Sequence, residues 1–249
     1  MKIYLLTSNK YTTKLCPVNI EMLNRYWPGN DITVVGYEGV LKLKNLPDNV
    51  TKYCLGNQYA YGKTWTNALI PFFNKQKHEY FTLVFDDHIL MNEADVEKIQ
   101  VLESWISNNK ADKAMIGGGI SLKQATQISD DVLLFNQEAN YRMSLHPAIW
   151  TRNYLLQYLK PNYTSWDFEQ KNNSLAKYDG GRIINFNYDY PKERHPYSYL
   201  ELYTKGAINI DKDGNILSHQ PSSRFFNKED LIFVELLFLS EIIMNFAIS

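Results

Sequence analysis

Strand-like and helix-like segments alternate along the first half of this chain. KIYLLTS, DITVVGY and EYFTLVFDD are apolar and rich in β-branched or aromatic residues, as buried strands are. Between them, helices are predicted over residues 17–26, over GKTWTNALIPFFNKQ and over ADVEKIQVLESWISNN. KAMIGGGIS is expected to be a further strand that enters a turn permitted by its glycines. This order predicts an α/β fold with a mostly parallel central sheet flanked by helices.

The chain has 249 residues, with no internal repeat or linker that would divide it, so a single domain over 1–249 is expected. From about Tyr178 onward the pattern is irregular, which predicts loops and short strands on the same domain. Residues 228–249 are apolar enough for a C-terminal helix, although Glu235 and Glu241 interrupt them. We expect this helix to pack on the body or on a second subunit; a membrane-surface contact is the alternative.

Composition excludes several classes of protein. Acidic and basic residues nearly cancel, at a net charge of -1, which disfavours a general nucleic-acid binder. Cys16 and Cys54 stand far apart without a CxxC, which argues against a disulfide scaffold or a zinc ribbon. MKIYLLTSNKYTTK becomes polar too early for a signal peptide. Together these features predict a cytoplasmic protein, peripheral to the inner face of a membrane if its C-terminal helix binds there.

A pair of carboxylates and a histidine follow the predicted strand EYFTLVF directly. Ligands of parallel α/β sheets lie at the carboxyl ends of the strands, where Asp86, Asp87 and His88 are expected. Adjacent carboxylates repel each other, and a divalent cation would compensate them: oxygen ligands suit Mg²⁺ or Mn²⁺, and an imidazole favours Mn²⁺. The alternative is that the two acids only cap the next turn or helix.

A second group of acids lies in SLHPAIWTRNYLLQYLKPNYTSWDFEQ. An apolar helix is predicted over AIWTRNYLLQYL, followed by a polar loop that leads to Asp167 and Glu169. Either acid could serve as a general base with a raised pKa. Taken alone, the pattern favours the alternative that both are ordinary acids in the first turn of a helix, where the helix dipole favours them.

These stretches resemble a known family. GKTWTNALIPFFNKQKHEYFTLVFDDHIL is similar to the centre of the GT-A glycosyltransferases, which use nucleotide sugars. In that family a helix carrying an Asn precedes a strand that ends in a DxD motif, and here Asn67 and Asp86-Asp87-His88 take those positions. The third residue departs from DxD, but a DxH variant occurs in some members. SLHPAIWTRNYLL…SWDFE resembles the acceptor-side segment of bacterial and phage sugar transferases, so the resemblance spans residues 1–169.

The resemblance implies a metal-dependent transfer of a sugar from a nucleotide-sugar donor, most simply a UDP-sugar, to a hydroxyl acceptor. It divides the GT-A domain into a nucleotide-binding half (1–110), an acceptor-side half (111–227) and the C-terminal helix (228–249). His88 and either Asp86 or Asp87 would hold Mn²⁺ or Mg²⁺ against the leaving diphosphate, while the other Asp would reach the ribose or the sugar. Glu169 would be the base of an inverting reaction, with Asp167 as its rival.

Other positions are implied in the same way. His219 is the preferred further metal ligand from a C-terminal loop, and His195 is the second choice. The candidates for contacts with the nucleotide are Thr7, Ser8, Tyr37, Trp65, Asn67 and Asp86.

Three alternatives to a glycosyltransferase stay open. A sugar nucleotidyltransferase would share the sheet and the acidic site, but LLTSNKYTTK has no glycine-rich phosphate loop. A glycoside hydrolase would need two carboxylates and neither metal nor nucleotide. A non-catalytic nucleotide- or carbohydrate-binding protein would bind without turnover. The acceptor is expected to be a carbohydrate or another hydroxyl compound, and nucleic acid is not favoured.

Overall fold

The computed structural model describes residues 1–61, 64–118, 122–188, 195–201, 203–204 and 207–208. Their strands are β1 (Lys2–Leu6), β2 (Asp31–Gly36), β3 (Val50–Cys54), β4 (Tyr80–Phe85), β5 (His88–Leu90), β6 (Lys113–Met115), β7 (Ala125–Gln127), β8 (Val132–Phe135), β9 (Ala148–Thr151), β10 (Ile183–Phe186), β11 (Tyr199–Glu201), β12 (Tyr203–Thr204) and β13 (Ala207–Ile208). Their α-helices are α1 (Thr12–Tyr26), α2 (Thr66–Lys75), α3 (Val96–Ser107), α4 (Arg152–Tyr158) and α5 (Ser165–Leu175).

Nine of these strands form the central sheet, in the order β3-β2-β1-β4-β9-β6-β10-β8-β7. β1 pairs in parallel with both β2 and β4, and β6 pairs in parallel with β10. β9 lies antiparallel between β4 and β6, and β8 is antiparallel to both of its neighbours. All sheet strands except β8 and β9 therefore run in one direction, which confirms the predicted α/β class with a mostly parallel sheet. Strands from both halves of the chain join this sheet.

Helices cover both faces of the sheet because successive strand residues point to opposite sides. Ile3 and Leu5 of β1 pack in a core with α1 and α3. Tyr4 and Leu6 pack in a second core with α2, α4 and α5. Such strands read as continuous apolar runs because neither face meets water.

Two predicted boundaries are wrong. α1 begins at Thr12, not at Pro17, because its first turn is already closed by hydrogen bonds from the N–H groups of Tyr11 and Thr12 to Ser8 O, both 3.0 Å. The predicted helix AIWTRNYLLQYL is split: its first four residues are β9, and only α4 is helical. Pairing between β4 and β6 determines the conformation of these four residues, which a single sequence cannot reveal.

β5 leaves the central sheet and pairs with β11 instead, with His88 opposite Glu201. The predicted C-terminal helix over 228–249 and His219 lie outside the described residues. In the part of the chain that the structure describes, no helix is long and apolar enough to cross a membrane.

Candidate active site

A cleft of ≈ 290 Å³ opens at the carboxyl ends of β1 and β4. It lies where ligands of open α/β sheets bind. Polar groups at the strand ends form its floor, and aromatic rings form much of its walls. The lining residues are Leu6, Thr7, Ser8, Tyr11, Tyr37, Gln58, Thr64, Trp65, Phe85, Asp86, Asp87, Thr164 and Ser165.

Asp86 is the buried acid of this cleft, with only 5% of its surface exposed. Thr7 Oγ1 donates a hydrogen bond to Asp86 Oδ2, and the backbone N–H groups of Ser8 and Asp87 also bond to the carboxylate. These bonds do not offset the loss of hydration: burial, and then the charge of Asp87, raise the pKa of Asp86 to about 8. Asp86 is therefore largely protonated at neutral pH unless a cation or a further hydrogen-bond donor approaches its carboxylate.

Asp87 and His88 form a pair of potential metal ligands beside Asp86. Asp87 Oδ1 lies 3.9 Å from His88 Nε2. Burial raises the pKa of Asp87 to about 6 and lowers the pKa of His88 to about 3. The imidazole is thus neutral, the form in which histidine ligates metals. One carboxylate and one imidazole fit Mn²⁺, although the described residues contain no group of three His, Cys, Asp or Glu side chains placed to hold a metal.

His88 itself does not line the cleft, because its ring turns into the interior. It stacks on His146, with ring centroids 5.6 Å apart and planes at 12°, and its centroid is 4.8 Å from that of Tyr199. His146 Nδ1 is hydrogen-bonded to the Tyr199 hydroxyl, whereas His88 Nδ1 is buried with no partner among the described residues. His195, the second choice as a further metal ligand, is bonded instead to the Tyr188 hydroxyl.

A buried asparagine on α1 holds the backbone that carries these three residues. The Asn19 side-chain amide donates to Phe85 O, Asp86 O and His88 O, each at 3.2 Å. The carbonyls in the turn from β4 to β5 are thereby directed toward α1. The sequence prediction missed Asn19, since one polar residue within an amphipathic helix gives no signal of a long-range bond.

The aromatic wall of the cleft suits a flat ring. Trp65 stacks on Phe85, with centroids 5.7 Å apart and planes at 29°, and it meets Phe168 edge to face at 5.5 Å. Tyr11 and Tyr37 complete the aromatic part of the lining. Bases stack on such side chains.

The structure brings six predicted residues into the cleft: Thr7, Ser8, Tyr37, Trp65, Asp86 and Asp87. It does not bring Asn67 there. The Asn67 amide bonds to the loop before α5, with Nδ2 2.9 Å from Asn162 Oδ1 and Oδ1 2.7 Å from Asn162 N. The side chain of Asn67 therefore connects α2 to that loop.

The two candidate bases have different surroundings. Asp167 belongs to a capping box with Thr164 and pairs with Lys171 Nζ at 2.8 Å, and these contacts lower its pKa to about 2. The helix-start alternative is therefore what the structure shows for Asp167. Glu169 Oε1 accepts a hydrogen bond from Leu145 N at 2.7 Å, and burial raises its pKa. Glu169 lines a separate pocket, one turn further along α5.

Several cleft residues were not predicted. Tyr11 caps α1, Gln58 begins a 3-10 helix over Gln58–Tyr61, and Thr64 lies in a loop; the approach of all three to the strand ends depends on the tertiary fold. Thr164 and Ser165 were detectable in part, since a Thr followed three residues later by an acid is the sequence signature of a helix start.

No family model and no curated protein matches this chain. Solved structures do resemble it. A structure of S. aureus TarS covering its residues 1–349 is 16% identical with a TM-score of 0.45, over 74% of this chain and 57% of that one. UDP-glucose pyrophosphorylase is 11% identical with a TM-score of 0.48, over 97% and 99% of the two chains. An active-site mutant of LgtC is 11% identical with a TM-score of 0.42, over 74% and 72%.

This chain spans little more than half of the TarS structure. At such identities and TM-scores the likeness concerns only the course of the chain.

Proposed function

We propose that this protein is a nucleotide-sugar-dependent glycosyltransferase that requires a divalent cation. The observation that carries the proposal is the Asp87–His88 pair, with 3.9 Å between carboxylate and imidazole: Asp87 lines the aromatic-walled cleft, and His88 lies behind it. A carboxylate with a neutral imidazole is a donor set for Mn²⁺, and an aromatic wall beside it suits a nucleobase. Together they match a nucleoside diphosphate whose phosphates need a cation.

The residues of the cleft take distinct parts in this proposal. Asp87 and His88 hold the cation, which would supply positive charge to the departing diphosphate. Asp86 reaches the ribose or the sugar of the nucleotide sugar; with the cation bound beside it, its carboxylate accepts a hydrogen bond from a hydroxyl group there. Trp65 and Tyr37 contact the base, and Thr7 and Ser8 contact the ribose or phosphates. A UDP-sugar is the expected donor.

Glu169 is proposed as the base that takes the proton from the acceptor hydroxyl in an inverting reaction. Its raised pKa favours this role, because a base must hold a proton more tightly than an ordinary carboxylate does. Asp167 is less suited to this role than Glu169, because its carboxylate is engaged by Thr164 and Lys171.

Calorimetry with UDP and Mn²⁺ tests the site directly. We expect UDP to bind the wild type at least 10-fold more tightly with Mn²⁺ than with EDTA, and the Asp87→Ala and His88→Ala variants to lose this difference. Exposed residues of the same types supply the matched controls Asp48→Ala and His78→Ala, which should behave as wild type. If the affinity for UDP is the same with Mn²⁺ and with EDTA in the wild type and in every variant, the metal assignment is wrong.

A donor screen then tests the reaction. Wild type with Mn²⁺ should release the nucleoside diphosphate from one of a panel of nucleotide sugars, and Glu169→Gln should slow transfer to an acceptor by 100-fold or more. Formation of a nucleotide sugar and pyrophosphate from a nucleoside triphosphate and a sugar 1-phosphate would instead identify a nucleotidyltransferase. Binding without any turnover would favour a non-catalytic protein.

A further inference from the structure

A second pocket of ≈ 190 Å³ lies between α5 and the loop over residues 140–145. It shares no lining residue with the cleft. Its lining residues are Asn140, Tyr141, Ser144, Glu169, Gln170 and Asn173. Ser165 of α5 lines the cleft, and Glu169 of α5 lines this pocket. Because residues four apart on a helix lie on one face, these two are about 6 Å apart along the helix axis. The two sites are therefore neighbours along α5.

The walls of this pocket are fixed to each other. Leu145 N donates to Glu169 Oε1 at 2.7 Å, and Arg142 N donates to Asn173 Oδ1 at 2.8 Å. Beneath the loop, the buried Lys113 Nζ donates to Arg142 O at 2.9 Å and to Ser144 O at 2.7 Å. The shape of the pocket is thus formed before any ligand enters, which reduces the ordering cost of binding.

Tyr141 is held in an unusual conformation at the rim. Its φ is +61°, in the left-handed region that bulky residues rarely adopt, and its side chain is left 58% exposed. Strain of this kind persists where the surrounding structure imposes it, and it is concentrated at ligand sites. The result is an aromatic ring presented beside a polar cavity.

The pocket also offers donors and acceptors that the protein does not use. Among the described residues, Glu169 Oε2, Asn173 Nδ2 and the Gln170 amide have no hydrogen-bond partner. Closely spaced acceptors and donors match the hydroxyl groups of a sugar, each of which both donates and accepts. The C–H face of a sugar ring can rest on the exposed face of an aromatic side chain.

We propose that this pocket binds one sugar residue, with Tyr141 against its ring and Glu169, Gln170 and Asn173 on its hydroxyl groups. The binding itself is independent of catalysis. Its role as the acceptor site rests on the proposed function: a sugar held there places a hydroxyl on the unbonded oxygen of Glu169, one helical turn from the cleft.

Saturation-transfer NMR on the full chain tests this inference, with methyl glycosides of glucose, galactose, mannose and N-acetylglucosamine at millimolar concentration and no nucleotide. At least one glycoside should receive saturation from the wild type, and Tyr141→Ala and Gln170→Ala should each reduce it at least fivefold. Tyr178→Ala is the matched control, since Tyr178 is also exposed, at 83%, but lies outside the pocket. It should leave the signal unchanged.

Trp65→Ala separates this inference from the proposed function. It should weaken UDP binding while leaving the glycoside signal intact. If Trp65→Ala abolishes the glycoside signal and Tyr141→Ala does not, sugars bind in the cleft and the second pocket is not a sugar site. No signal from any glycoside would overturn the inference as well, and neither result would bear on cation-dependent UDP binding.

Discussion

Two regions of this molecule bury charged side chains, and they treat them in opposite ways. On the α5 side, Arg142 is fully buried and its guanidinium donates to the carbonyls of Ala176, Asn136 and Gly181, at 2.9, 3.0 and 2.6 Å. Asp179 Oδ1 lies 3.7 Å from its NH2 group. At the cleft, burial instead leaves Asp86 with a pKa raised to about 8. The protein thus supplies hydrogen-bond acceptors around the Arg142 guanidinium, whereas its hydrogen bonds to Asp86 do not offset the burial of that carboxylate.

This difference indicates that Arg142 has a structural role and that Asp86 belongs to a functional site. A buried cation surrounded by carbonyl oxygens needs nothing further, and its removal strands those oxygens. A buried carboxyl at the mouth of a cleft, next to a second carboxyl, whose hydrogen bonds do not offset its loss of hydration, needs in addition a proton, a cation or a ligand. Perturbed groups of the second kind are concentrated at functional sites. The predictions below test whether the two regions can be separated by mutation.

The largest effect is expected from Arg142→Met. It leaves Ala176 O without the guanidinium donor, and Asn136 O and Gly181 O each keep one other donor. Asp179 keeps its bonds from Tyr154, Tyr158 and Gly181 but loses the only buried cation beside it in the described residues. Because the carboxylate is then buried without an opposite charge, we expect a loss of roughly 3–5 kcal/mol in the free energy of unfolding. Urea denaturation followed by circular dichroism measures it. Arg25→Met is the control, because Arg25 is exposed and its ion pair with Glu21, at 3.4 Å, lies on the protein surface; the substitution should cost at most about 0.5 kcal/mol. Equal losses would show that the network around Arg142 contributes nothing.

Asn19→Ala should affect both stability and the cleft. Loss of the amide removes one donor from each of the carbonyls of Phe85, Asp86 and His88, of which His88 O keeps the Tyr197 hydroxyl at 3.3 Å. The expected cost is about 1–3 kcal/mol. Because the turn then relaxes, we also expect Mn²⁺-dependent UDP affinity to fall roughly 10-fold, equivalent to about 1.4 kcal/mol.

Asn172→Ala is the matched control for Asn19→Ala. Asn172 is also buried and donates to Tyr158 O at 2.9 Å, away from the cleft. It should lower the stability and leave UDP affinity unchanged. If both variants lose affinity in proportion to stability, Asn19 has no specific part in positioning the turn.

The two regions also differ in what the sequence revealed. The strands before the acidic turn and the turn itself were predicted, because an apolar run that stops at Asp86 is a local signal. The split of AIWTRNYLLQYL was not, because β9 exists only through its pairing with β4 and β6. Likewise Asn67 was expected in the cleft from its position in a motif, yet its side chain bonds to a loop 95 residues away in sequence.

Lys113 lies on the same side of the molecule as Arg142, and Lys113→Met should change how the free energy of unfolding depends on pH. Burial lowers the pKa of Lys113, so the folded protein binds fewer protons there than the unfolded chain does. Wild-type stability should therefore rise with pH below the unfolded value of 10.5, relative to the variant. At neutral pH the variant should lose about 1–2 kcal/mol, since two buried carbonyls lose a donor while the cost of burying a cation is removed.

Urea denaturation at pH 6 and pH 9 measures this difference between wild type and Lys113→Met. The gap in stability should widen at the higher pH. A gap that narrows would mean that the ammonium group is stabilised by its carbonyls and by the face of Trp150, whose centroid is 4.1 Å away, more than it is destabilised by burial.

The smallest effect is expected at Thr164, where the two regions meet at the start of α5. Its hydroxyl accepts a hydrogen bond from Asp167 N at 3.0 Å, and its backbone N donates to Asp167 Oδ2 at 3.1 Å. Thr164→Ala removes the first bond, together with the one that the hydroxyl donates to Asp167 Oδ2 at 2.7 Å, and should cost about 1 kcal/mol. Thr151→Ala, at the cap of α4, should cost a similar amount or less, since its bond to Tyr154 N is longer, at 3.4 Å. Only Thr164 lines the cleft, so only its variant should also weaken UDP binding, by about twofold. Equal UDP affinity in both variants would mean that the start of α5 supports the fold without contacting the nucleotide, and the cleft would then end at the wall formed by Trp65.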